Sequence, residues 1–176
     1  MFGAYSLGVT QAAISIRLAR SADASDVAAV HDAAWREAYW GIIPGRELER
    51  MVQRRGPDWW SRVIARGGRI AVLEFDDKVR GYASYGRNRL AVSPYRGEIF
   101  ELYLAPEFQG LGFGRRLFDA ARRDLIGHRM GGLIVWSLAD NSRAVGFYRH
   151  LGGIKVREME ERFGGEVRQR FACGWS

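Results

Sequence analysis

The sequence predicts an α/β domain built on a mixed sheet, and three observations carry that expectation. Strand-like apolar runs alternate with segments of helical spacing along the chain. Residues 132–138 are apolar on both faces, as in a strand buried inside a sheet. Residues 98–104 read as a strand that passes through a glycine-rich turn at 110–114 into a helix-like run, 115–126.

The elements are justified in chain order. Residues 1–13 have little pattern and read as a flexible leader, leaving 14–176 as one domain. Residues 14–18 alternate and form a first strand. Ser21 to Ser25 supply helix-capping side chains, and Val27, Val30, Ala34 and Ala38 then recur at helical spacing. That helix should fade near Gly41, with Pro44 forcing a break. Short helices are expected at 46–52 and 58–65. Residues 69–75 and 79–85 form a hairpin around Asp76 and Asp77. After the glycine turn and its helix, which ends near Gly127, come the buried strand at 132–138 and a helix at 141–151. A closing hairpin, 154–160 with 167–173, turns at Gly164 and Gly165.

At 176 residues the chain can bury a core without disulfides or metal. Its 47% hydrophobic and 27% charged content is that of a soluble globular domain. No apolar run reaches the length of a membrane span, and no basic-then-apolar secretion signal opens it. The single cysteine, Cys173, cannot form an internal disulfide and reads as a packed thiol. A cytoplasmic protein is therefore expected. The net charge of +7 is almost all arginine, scattered rather than blocked, and no nucleic-acid reader motif is present. His31, His128 and His150 lack metal-ligand spacing, so no metal is expected.

The turn Gln109-Gly110-Leu111-Gly112-Phe113-Gly114-Arg115 is the most informative segment. Glycines uncover backbone N–H groups, and a helix N-terminus adds partial positive charge, so the geometry suits phosphate. A P-loop would need Lys-Ser or Lys-Thr, where Arg115-Arg116 stand. A dinucleotide fingerprint has its first two glycines in Gly110 and Gly112 but finds Arg115 at the third, although Asp140 could imitate its ribose-binding acid. The third pattern is Gln109-x-x-Gly112-x-Gly114. A second block, Asn141-x-x-Ala144-x-x-Phe147-Tyr148-x-x-x-Gly152-Gly153, comes after the next strand.

Together these blocks resemble the acetyl-CoA loop and a later motif of the GNAT superfamily of N-acetyltransferases, except that Gly153 replaces the family's final Phe. The resemblance implies a mixed sheet of six to seven strands flanked by helices, whose two central parallel strands splay apart. It implies acetyl-CoA as cofactor, released as coenzyme A, and a small-molecule or peptide amine as acceptor. The family often dimerises, so a homodimer is compatible with it. A non-catalytic acyl-CoA-binding or sensor domain on the same fold is the alternative reading.

Acetyl transfer to an amine has three requirements. The amine must lose a proton, the thioester oxygen needs hydrogen-bond donors, and the thiolate needs a proton. The resemblance makes Tyr148 the acid for the leaving thiolate. It places the cradle at Gln109, Gly110, Leu111, Gly112, Phe113, Gly114 and Arg115. A bulged strand near Leu102, Tyr103 and Leu104 would supply backbone donors, Asn141 would meet the cofactor or cap its helix, and Ala144 and Phe147 would form the wall. Glu101 is the preferred base and Glu98 the second candidate. Strand alternation sets the two acids on opposite faces, Ile99, Glu101 and Tyr103 on one and Glu98, Phe100 and Leu102 on the other. Trp35, Tyr39 and Trp40 would line the acceptor side, with Trp35 and Tyr39 on one helix face. An aromatic wall with acids mildly favours a small cationic amine or an amino acid.

Overall fold

The computed structural model describes residues 14–90 and 93–176, so the leader expected at 1–13 lies outside the described residues. The chain forms β1 (Ile14–Leu18), α1 (Ala24–Tyr39), α2 (Gly45–Gln53), α3 (Pro57–Ala65), β2 (Arg69–Phe75), β3 (Lys78–Arg87), β4 (Gly97–Leu104), α4 (Phe113–Gly127), β5 (Leu133–Leu138), α5 (Ser142–His150), β6 (Ile154–Phe163) and β7 (Glu166–Trp175). Seven strands make one sheet in the order β1-β2-β3-β4-β5-β7-β6. Among the described residues only β4 and β5 are parallel neighbours, which is what a mixed sheet with one helical crossover requires.

Alternation along β2 builds two cores. Ala71 and Leu73 face one side with Leu117, Phe118 and Leu125 of α4, while Ile70 and Val72 face the other with Val27 and Val30 of α1 and Trp60 of α3. The β2–β3 hairpin turns on Asp76 and Asp77, both with positive φ (56° and 55°), the two-residue turn whose twist matches its strands. The last hairpin runs longer than expected, through Phe163 and Trp175, and β6 forms the sheet edge.

Two irregularities in β4 shape the middle of the sheet. Ser84 pairs with Glu101 but Tyr85 pairs with Ile99, so Phe100 is an extra residue, a bulge. The bulge was expected nearer Leu102–Leu104. It lies earlier, and it cancels the expected alternation: Glu98, opposite Gly86, and Glu101, opposite Ser84, end on the same face as Tyr103. Ile99 and Leu102 stay on the α4 side. The second irregularity is that the β4–β5 ladder stops at Ile99–Val135, so the strands part toward their C-terminal ends.

Candidate active site

Two clefts meet where β4 and β5 part. One, of about 680 Å³, lies on the α4–α5 side and is lined by Leu102, Leu104, the glycine turn, Asn141 and Tyr148. The other, of about 430 Å³, opens on the α1–α3 side and is lined by Trp35, Tyr39, Arg55, Glu101 and Arg170. Tyr103 lines both, and its hydroxyl lies 2.8 Å from that of Tyr39.

The larger cleft has the donors an anion needs. Gly110 and Gly112 hold positive φ (74° and 81°), a region glycine enters without strain. Among the described residues, the N–H groups of Gly110, Leu111, Gly112, Phe113, Gly114 and Arg115 donate to no protein acceptor, and α4 begins at Phe113. A Cβ on Gly114 would stand 3.2 Å from the Phe147 ring, so only a small residue lets α4 start this close to α5. Leu111 and Phe113 do not line the cleft, although their N–H groups have no acceptor among the described residues. Arg115 lines it, whereas Arg116 lies over the Phe113 ring. The Gln109 amide donates to Leu104 O (3.1 Å) and to Glu37 (2.7 Å), fixing the turn against β4 and α1.

The strand side of this cleft is set by ladder geometry. Ala105 N–H donates to Arg80 O, so alternation turns Tyr103 toward β3 and the N–H groups of Leu102 and Leu104 toward the gap left by β5. The N–H groups of Leu102 and Leu104 thus face the gap, while the side chain of Tyr103 lines both clefts. Asn141 caps α5, its Oδ1 accepting from Ala144 N at 3.1 Å, and lines the cleft with Ala144 and Phe147. Tyr148 is buried, lines the cleft, and its hydroxyl has no partner among the described residues. Burial, with smaller contributions from Tyr39 and Cys173, pushes its pKa up, so the phenol stays protonated at neutral pH.

At Gly153, where the resembled motif has Phe, a Cβ would already lie 2.5 Å from the Trp175 ring and 2.9 Å from Tyr148 O. Trp175 of β7 occupies that volume, donates Nε1–H to Leu151 O (2.9 Å) and packs edge-on to Tyr148 (centroids 6.1 Å apart). Its part in holding Tyr148 was not legible from the chain, because it comes from a strand 27 residues away in sequence order.

In the smaller cleft, Trp35 and Tyr39 pack edge-to-face, 4.9 Å between centroids, as their spacing predicts. Trp40 does not join them. It is 80% exposed and borders the larger cleft, because α1 ends at Tyr39 and the chain turns away. Glu101 is buried, accepts from Tyr82 Oη–H (3.1 Å) and pairs with Arg55. Tyr82 in turn accepts from His31 Nδ1 (2.8 Å), which makes His31 the orienting end of a buried chain. Burial, then the Arg55 charge, lowers the His31 pKa to about 3, so the imidazole is neutral. Glu98 lies on the same face but is 1% exposed, lines neither cleft, and is held by Arg89 through its backbone N–H, Nε and Nη2. The structure thus separates the two acids: Glu101 reaches the cleft and Glu98 is an anchor. Arg55, Trp59, Trp136 and Arg170 also line the cleft, and sequence reasoning missed all four.

Among the described residues, no helix is long and apolar enough to cross a membrane. Among the described residues the sheet has a single parallel pair, not the doubly wound frame a dinucleotide fingerprint sits in. The model of the acetyltransferase (GNAT) family matches residues 29–152. The uncharacterised N-acetyltransferase YuaI of Bacillus subtilis (strain 168) is 30% identical over 162 residues, 92% of each chain. A probable N-acetyltransferase of Mycobacterium tuberculosis is 31% identical over 141 residues, 77% of this chain and 76% of its own length. The PaiA N-acetyltransferase of Thermoplasma acidophilum, solved with coenzyme A, superposes with a TM-score of 0.73 at 18% identity, over 90% of this chain and 98% of its own. The match spans both glycine turn and Tyr148 helix, and the chain belongs to the acetyltransferase (GNAT) family.

Proposed function

We propose that the protein transfers the acetyl group of acetyl-CoA to a primary amine by direct attack within a ternary complex. The observation that carries this reading is the run of six N–H groups, Gly110 to Arg115, without a partner among the described residues, at the head of a cleft that ends at Tyr148. A structural neighbour from Salmonella typhimurium, with a TM-score of 0.68, was solved with acetyl-CoA. Acetyl-CoA would supply an activated acyl carbon.

The residues divide the work. The glycine turn and Arg115 hold the pyrophosphate. Leu102 and Leu104 N–H groups, freed by the parting of the strands, orient the pantetheine arm and steady the thioester oxygen. The amine enters from the smaller cleft past Tyr103 and gives up its proton to Glu101 through water. As the new C–N bond forms and the C–S bond breaks, Tyr148 donates its proton to the departing sulfur. Glu98 takes no part. Cytoplasmic location and homodimer formation stay within the proposal.

The test is amine-dependent thiol release from acetyl-CoA by the purified protein. Release that rises with amine concentration supports a transferase. Tight acetyl-CoA binding with no release for any amine in a broad panel would favour an acyl-CoA-binding domain instead.

A further inference from the structure

The acceptor cleft carries a charge pattern that the transferase reading does not use. Four arginines, Arg55, Arg69, Arg89 and Arg170, line it; Arg69 is paired with Asp124 and Arg89 with Glu98, and the acids that line the cleft itself are Glu101 and Glu161. Both acids are already taken, Glu101 by Arg55 and Glu161 by Arg170 at 3.0 Å. Neither arginine is exhausted. Arg55 gives Glu101 only Nη1, and among the described residues its Nε and Nη2 have no acceptor. Arg170 gives Glu161 only Nη1, and among the described residues its Nη2 has no acceptor, while its Nε is closed off from the cleft.

Both guanidinium planes are also held. Arg55 lies over the Trp59 ring (4.9 Å) and near Trp35 (5.8 Å), and Arg170 lies over Trp136 (4.7 Å). Stacked, partly buried guanidinium groups with free donors are built for a planar anion, because a fork of fixed N–H bonds matches a carboxylate and little ordering entropy remains to be lost. A polyamine finds the opposite: among the described residues each lining acid already has an arginine partner, and the unused donors of Arg55 and Arg170 repel its second charge. The volume of about 430 Å³ lies at the small end for small-molecule sites.

Resting on the transferase reading above, we infer that the acceptor is a small amine carrying a carboxylate, an amino-acid-like molecule, whose carboxylate docks on the free donors of Arg55 and Arg170. Its stem lies among the tryptophans, and its amine points to Glu101 and Tyr103.

The experiment compares thiol release for matched acceptors: phenylalanine with phenethylamine, leucine with isoamylamine, and spermidine. The inference predicts that kcat/KM for each amino acid exceeds that of its decarboxylated partner about tenfold or more, the value of a charge-assisted pair, with spermidine poorest. Arg55→Gln should shrink that ratio at least about tenfold, mainly by raising KM for the amino acid. Because losing Arg55 strips Glu101 of its cation, Arg170→Gln is the second variant, expected to act the same way. Acetyl-CoA affinity by calorimetry reports that each variant is folded. A preference for spermidine or for the decarboxylated amines, or an unaltered ratio in both folded variants, overturns the inference while leaving the transferase intact. Acetyl-CoA binding without transfer to any acceptor overturns the transferase reading, and the inference with it.

Discussion

Tyr148 and Glu101 were the two side chains whose chemistry the sequence singled out most sharply, and the structure gives each a defined setting. Tyr148 is buried beside the larger cleft with a free hydroxyl, so Tyr148→Phe removes one proton donor and little else. Steady-state kinetics should show kcat falling about 100-fold, in the range of a general acid, while calorimetry shows acetyl-CoA affinity within about twofold. Unchanged kcat would remove Tyr148 from the chemistry. The sequence favours Glu101 over Glu98 for its nearness to the expected bulge; alternation puts the two acids on opposite faces because it counts every residue, whereas the bulge at Phe100 adds one. His31, which the sequence marked by its lack of metal-ligand spacing, is fully buried. Its place behind Tyr82 and Glu101 depends on contacts between α1, β3 and β4 that no spacing rule reports.

At the scale of elements, the strand–turn–helix unit was legible because glycine, a helix start and an apolar strand stand next to each other in sequence. Gly112 tests it. Its φ of 81° is costly for any L-residue, and an added Cβ would meet no protein atom, so it would project into open space at the cradle. Gly112→Ala should lose roughly 1–2 kcal/mol in denaturant unfolding and weaken acetyl-CoA about tenfold, or about 1.4 kcal/mol, by calorimetry. An alanine variant as stable and as tight as the parent would contradict the loop's role. The second motif was legible except at Gly153, where the partner came from β7. Gly153→Phe should cost about 1–3 kcal/mol through overpacking against Trp175. Adding Trp175→Ala should recover part of that loss, a coupling measurable in a double-mutant cycle. Strictly additive losses would mean the two positions do not share one space.

For the whole molecule, the order of strands and helices was legible from periodicity, but the sheet order was not. The insertion of β7 between β5 and β6 is a long-range pairing with no local signature. The acceptor cleft was half legible for the same reason. Trp35 and Tyr39 share a helix face, whereas Arg55, Trp136 and Arg170 come from a loop and two distant strands. Buried His31 also gives the fold a pH signature. Its folded pKa of about 3 lies below the usual 6.5, so between those values the unfolded chain binds the extra proton. Stability from this group is full above pH 6.5 and falls as pH drops toward 3, by about 1.4 kcal/mol per pH unit. Unfolding titrations from pH 7 to 4 should show a shallower pH slope for His31→Gln than for the parent. Parallel slopes would mean His31 titrates alike in both states.

The proposed mechanism places acetyl-CoA in the cleft between the glycine turn and Tyr148, and the proposed residue roles follow from that placement. Calorimetric titration of the purified protein with acetyl-CoA, and separately with NADH, addresses it without needing the acceptor. Binding of one acetyl-CoA per chain, with no heat from NADH, is the predicted result. No binding of acetyl-CoA, or binding of NADH in its place, would contradict it.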